Sequence, residues 1–353
     1  MGKSGSNADR EERQKKTTKS KQKWPDWYAE LRSYRTRSTG KAVWQVINTL
    51  VPYAALWAVM IWTIHQGYSY WLTLGLSLFA AFLLVRVFIL FHDCVHGSLF
   101  PQKRANTVFG YFLGLLVFTP FEDWRYSHLR HHATYADLDT RGFGDIWTMT
   151  KAEYDTAPKS TRISYRLFRH PLILLGLGPV FTFLLRFRLP SRMAKRKAQV
   201  NIVVTNLLIA AIIVTASLLM GVRTYVGIQL PVIWMAGLMG IWLFYVQHQF
   251  PGVYWSRGQE WNPLRAAMEG SSFYKLPAVL RWFSSNIGYH HVHHLSPRIP
   301  NYLLKQCYEA VPELQKNTPL TFRKSLTCIR LKLWDERRKE LVKVVNKIGE
   351  EHR

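Results

Sequence analysis

Apolar residues in this chain gather into long runs instead of alternating with polar ones. Four runs reach the length of about 20 residues that a helix needs to cross a bilayer: 44–64, 69–91, 200–220 and 226–247. The links 65–68 and 221–225 are short, so the pattern predicts two helical hairpins. The stretches 108–121 and 171–187 are too short, or too closely bounded by Pro and Arg, to read as spans. They are expected as interfacial or re-entrant helices. A single crossing by either would put the later histidines across the membrane from the earlier ones.

Charge orients this arrangement. The 353 residues carry 47 Lys and Arg against 22 Asp and Glu, a formal net charge of +25. The two short links hold one basic residue, Arg223, while 1–23, 186–197 and 337–347 are rich in Lys and Arg. Basic excess marks the cytoplasmic side, so both termini and the middle segment are expected there. The chain reads as an all-α, multi-pass membrane protein, with four transmembrane helices in two hairpins and a cytoplasmic helical cap. Residues 1–40 read as a basic, disordered cytoplasmic tail, 41–320 as the main domain, and 321–353 as a basic C-terminal helix or tail. The positive charge suits an anionic membrane face; no motif supports nucleic-acid binding. Cys94, Cys307 and Cys328 lack the spacing of a zinc site or a disulfide framework.

The chemistry lies in histidine. Nine of the 13 histidines fall into three five-residue stretches: His92 and His96; His128, His131 and His132; and His290, His291, His293 and His294. Residues at i, i+3 and i+4 share a helix face, so each stretch can present two or three imidazoles to a common point. Neutral imidazole ligates iron, zinc, copper and nickel. Eight such rings are too many for one ion, so two metal ions are the natural count. All three stretches follow or lie between the spans on one face of the membrane. His248, at the exit of the fourth span, is a ninth candidate ligand. Asp93 is expected to hold a ring N–H of a ligand histidine. His291 breaks the helical face and is expected to support the ligands without joining them. Asp137, Asp139 and Asp145 can orient histidines, hold Arg141, or belong to a polar turn. Zinc hydrolysis needs about three ligands and a general base, which leaves three clusters unexplained. A membrane transporter would need ionisable groups deep in the spans, and Arg86, near one end, stands alone there.

These stretches resemble the three histidine boxes of the membrane fatty acid desaturases, and 290–302, His-His-Val-His-His-Leu-Ser-Pro-Arg-Ile-Pro-Asn-Tyr, is similar to that family's continuation of its third box. The first box, His92-Asp-Cys-Val-His96-Gly-Ser, looks like the variant in bacterial and plastid acyl-lipid desaturases of the Δ12 (ω-6) group. The resemblance covers roughly 40–320. It implies a centre of two iron ions, O2 as oxidant, a long-chain acyl substrate linked to lipid, CoA or a carrier, and a bacterial inner-membrane location. It also implies electrons from a separate ferredoxin-like donor or cytochrome b5, since no His-Pro-Gly-Gly haem motif occurs in the chain. Carotenoid ketolases and hydroxylases and alkane hydroxylases use the same boxes and are the nearest alternatives.

Overall fold

The computed structural model describes residues 24–191 and 194–344. The expected disordered tail lies mostly outside them, as does the end of the C-terminal segment. After a 3-10 helix, α1 (Asp26–Arg35), come the first two long helices, α2 (Thr39–His65) and α3 (Tyr70–His96). The hydroxyl of Ser38 caps α2 by accepting from the Lys41 amide, 3.3 Å away. Gly97 ends α3 with φ 65°, a left-handed conformation that costs glycine little.

The second hairpin is α8 (Arg196–Met220) and α9 (Val222–His248). These four helices are long and apolar enough to span a membrane. They are not equivalent. In its most apolar window α3 is 61% buried, against 22%, 17% and 28% for α2, α8 and α9. It is therefore the central span, packed between α2 and α9. Outward-facing Trp44, Leu207 and Leu218 on the other spans stay exposed, as lipid-facing side chains must, and so does Trp71 at the start of α3.

Between the hairpins lie α4 (Lys103–Leu116), α5 (Phe121–Thr134), strand β1 (Met149–Thr150), α6 (Lys151–Thr156) and α7 (Lys159–Phe168). The apolar segment Leu172–Arg188 follows, bent by 62° from α7 and wound largely as π-helix. Pro171 and Pro179, which lack a backbone donor, start its two halves. The ends of α3 and α9 meet at one cluster of histidines, described below. Because α8 and α9 form one hairpin, α8 must begin on that same face. Leu172–Arg188 consequently returns to the side it left, as a re-entrant segment does.

The cap is completed by α10 (Pro263–Met268), β2 (Tyr274–Lys275), α11 (Ala278–Phe283), α12 (His290–Leu295), α13 (Asn301–Ala310), β3 (Leu320–Thr321) and α14 (Phe322–Cys328). Strands β2 and β3 pair in parallel. Beyond α14 the described residues hold no helix. Strands β4 (Leu333–Asp335) and β5 (Glu340–Val342) form an antiparallel hairpin, and β4 pairs in parallel with β1. Among the described residues of the 321–353 segment, helix is confined to the seven residues of α14. Leu333, Trp334 and Leu341 give the hairpin a buried face that a solvated tail would lack. Arg169, 1% exposed, ties this hairpin to the core. Its guanidinium donates to the carbonyls of Trp147 (3.0 Å) and Leu331 (2.8 Å), to Gln249 Oε1 (2.9 Å) and to the Tyr245 hydroxyl (3.1 Å).

Candidate metal centre

Nine histidines converge from four helices. His92 and His96 lie on the last turns of α3, which runs on past its apolar stretch without a break. His128, His131 and His132 sit on α5, His248 ends α9, and His290, His293 and His294 occupy the short α12. Their ligand atoms form two groups that could each hold a metal ion. His92, His96, His128, His132 and His293 make one, and His131, His248 and His294 the other, with all ligand atoms of a group within 4.8 Å of one another. His290 joins the second group through its Nε2, 3.0 Å from that of His248.

The division cuts across the sequence clusters. Successive helical residues point about 100° apart around the axis. His131 and His132 therefore diverge into different groups, as do His293 and His294. Each of α5 and α12 serves both groups, where local spacing suggested a common point for each box.

The ring nitrogens themselves test whether metals fit. In the first group, the Nε2 atoms of His96 and His128 are 2.9 Å apart, those of His128 and His132 3.1 Å, and those of His132 and His293 3.1 Å. In the second, His248 Nε2 lies 3.1 Å from that of His131. An imidazole nitrogen has one in-plane lone pair or one proton. His128, His132 and His248 each face two neighbours, so hydrogen bonding cannot satisfy both contacts. Lone pairs aimed at a shared cation can. With metal–nitrogen bonds of about 2.1 Å, ligands at right angles stand about 3.0 Å apart and tetrahedral ones about 3.4 Å. The observed spacing is within reach of a shared ion, and the five nitrogens of the first group exceed the four ligands of a closed tetrahedral zinc site. Burial, and next the charge that a neighbouring imidazolium would add, holds His128, His132, His290, His293 and His294 well below the usual imidazole range. These rings are neutral at pH 7, the form that ligates.

Side chains around the rings fix their orientation. Asp93 Oδ1 lies 3.3 Å from His92 Nδ1. Its Oδ2 accepts from the Asn301 amide (2.8 Å) and Asn301 Nδ2 (2.9 Å). Asn301 Oδ1 in turn accepts from Gln45 Nε2 at 2.7 Å. Asp145 Oδ1 is 2.5 Å from His131 Nδ1, with both side chains almost fully buried. The Trp124 ring stacks on His128 with centroids 4.3 Å apart. The Tyr135 hydroxyl donates to the His248 carbonyl at 3.0 Å.

The remaining candidates lie elsewhere. His291 turns away from the cluster: its Nε2 is 3.0 Å from the Leu314 carbonyl, so it anchors α12 to the following chain. Asp139 pairs with Arg257, Asp137 caps its own turn, and Arg141 pairs with Glu153. Sequence reasoning passed over Asn301 and Gln45, although an amide in the first turns of an apolar span is a visible oddity. The three cysteines are buried and unpaired.

Comparison with known proteins agrees with this geometry. The family model described as "Fatty acid desaturase" matches residues 69–325. A fatty acid desaturase of Bacillus subtilis (strain 168) is 42% identical over 313 residues, 89% of this chain and 88% of that protein. The chloroplastic sn-2 acyl-lipid omega-3 desaturase (ferredoxin) of Arabidopsis thaliana is 26% identical over 260 residues, 68% of this chain and 54% of that protein. The chloroplastic omega-6 fatty acid desaturase of Glycine max is 26% identical over 240 residues, 64% and 53% respectively. The chain spans about half the length of these two plant proteins. Four apolar spans, the histidine clusters and these matches place the chain in the fatty acid desaturase family.

Proposed function

We propose that the protein inserts a double bond into a long acyl chain of a membrane lipid, at the Δ12 (ω-6) position. The observation that carries this reading is the convergence of nine imidazoles at the end of the central apolar span. That position suits oxidation of a chain that lies in the bilayer. His92, His96, His128, His132 and His293 would hold one iron, and His131, His248, His290 and His294 the other. Bound iron supplies the reduction of O2 that an unactivated C–H bond requires. The overall change is balanced: two hydrogens leave adjacent carbons, two electrons and two protons arrive from outside, and O2 becomes two waters.

The protein's own groups prepare the site. Asp93 and Asp145 accept ring N–H groups and so direct the opposite nitrogens inward. Burial of the rings keeps them neutral and shields the reacting carbons from bulk water. Electrons are expected from a separate donor, and the ferredoxin in the Arabidopsis relative's name supports a small acidic redox protein. The basic segments support a cytoplasmic side for both termini and the site, in a bacterium at the inner membrane. The Δ12 assignment rests on the sequence of the first box and on the omega-6 relative. Expression in a desaturase-free host fed defined monounsaturated acids tests the whole reading. New dienoic chains with the second bond at Δ12 are expected. Oxygenated products, or no product from iron-loaded protein, would refute it.

A further inference from the structure

Beside the histidine centre a cleft of about 390 Å³ opens between α2, α3, α11 and α13, a size common for small-molecule sites. Four cations line it: Lys41, Arg86, Arg281 and Lys305. Among the described residues no carboxylate lines it. Lys305 pairs with Glu309 at 3.4 Å, outside the cleft. Arg86 belongs to the central span and is 3% exposed. A cation at that depth is costly unless something answers its charge. Its Nε donates to Thr49 Oγ1 (2.9 Å), its Nη1 to the Trp282 carbonyl, and its guanidinium lies 4.1 Å from the Trp282 ring centroid. All of these partners are neutral. Among the described residues its Nη2 has no hydrogen-bond partner and no anion faces it.

Two features connect the cleft with the lipid and with the site. Trp44 and Trp282, also in its lining, are exposed at 64% and 41%, as are aromatic side chains at a membrane–water boundary. Gln45, in its wall, is hydrogen-bonded to Asn301, which holds Asp93 beside His92. Arg86 precedes His92 by six residues, about 9 Å along the helix.

We infer that this cleft is a subsite for the phosphate of a phospholipid head group, so that the acyl chain to be desaturated is presented on a phospholipid. The inference rests on the proposed desaturation. The cations supply the anion's counter-charge at the level where head groups lie, and Asn48, Asn286 and Tyr302 line the same space. A headgroup held there leaves its acyl chain beside α3, the helix that leads to His92 and His96. The chain Gln45–Asn301–Asp93 links the occupied cleft to the orientation of the first histidine.

The test titrates the full-length, iron-loaded protein in non-ionic detergent with dihexanoyl phosphatidylglycerol by calorimetry. Parallel titrations use a short-chain galactolipid, inorganic phosphate and coenzyme A. One phosphatidylglycerol per chain is expected, with affinity about tenfold weaker for each cation removed in Arg86→Gln and in Lys41→Gln/Arg281→Gln. Should Arg86→Gln fail to fold, the double variant at the rim carries the test. Binding within twofold of the parent in the double variant would overturn the inference. So would equal binding of the galactolipid, or displacement of the lipid by equimolar phosphate or coenzyme A. Turnover is read separately. A chain that binds the lipid yet forms no double bond refutes the reaction and leaves the subsite standing. Equal desaturation of galactolipid and phospholipid refutes the subsite and leaves the reaction standing.

Discussion

Replacing Asp145 by Asn removes the charge that holds His131 while keeping the shape of the side chain. Asp145 Oδ1 is 2.5 Å from His131 Nδ1, and the two side chains are 4% and 1% exposed. Solvent screening is therefore slight. Oδ2 also accepts from the Gly142 amide at 3.0 Å, so the loop itself remains tethered. A hydrogen bond to a charged group contributes about 1.5–3 kcal/mol. At about 1.4 kcal/mol per factor of ten, its loss corresponds to roughly 10–150-fold. That range agrees with the roughly 10–100-fold cost of removing a carboxylate behind a ligating histidine. The expected result is a weakening of that order in iron retention at the second histidine group, with the first unaffected. Iron per chain after chelator dialysis, measured by plasma mass spectrometry, reads the effect, and gas chromatography of host lipids reads product. His131→Ala/Asp145→Asn should be no worse than His131→Ala, because the carboxylate acts through the ring. Asp155→Asn, which breaks an exposed pair with Lys151, should change neither reading. Wild-type iron retention in Asp145→Asn, or additive losses in the double variant, would refute the assignment.

Other predictions follow from different parts of the molecule. His132→Ala removes a nitrogen that faces both His128 and His293; product should vanish while the chain still inserts in membranes, and wild-type unsaturation would count against the site. Arg169→Met leaves Gln249, Tyr245 and two carbonyls without their donor. Buried acceptors left unpaired cost about 1–3 kcal/mol each, read as a lower thermal midpoint in detergent and as new protease cleavage near the C-terminal hairpin. Gly288→Ala would place a Cβ 2.4 Å from the Tyr274 carbonyl oxygen. A cost of about 1–3 kcal/mol is expected, together with reduced product because α12 begins two residues later; an unchanged midpoint would show that the backbones can separate there.

Local physics made much of this protein readable in one dimension. Apolar runs of bilayer length are a property of contiguous residues, and 69–91 could be recognised as a span without any partner. The i, i+3, i+4 spacing of histidines is likewise local, because the helical period alone sets which rings share a face. What lay beyond reach was every choice that depends on distant chain. His131 and His132 were adjacent candidates for one metal; the rings that α3, α9 and α12 bring to the two sides of α5 put them in different groups. Asp145 stood among three equivalent acids until the fold placed it, and neither Asp137 nor Asp139, against a histidine. Asn301 and Gln45 are 256 residues apart, and no periodicity connects them. The C-terminal hairpin depends on β1, nearly two hundred residues earlier, because strand pairing satisfies backbone groups between segments and leaves no helical signal in either. Sequence alone thus determined the spans, the ligand chemistry and the number of imidazoles. Tertiary structure decided their grouping, their supports and the cationic cleft beside them, since hydrogen bonds and charges act through space and not along the chain.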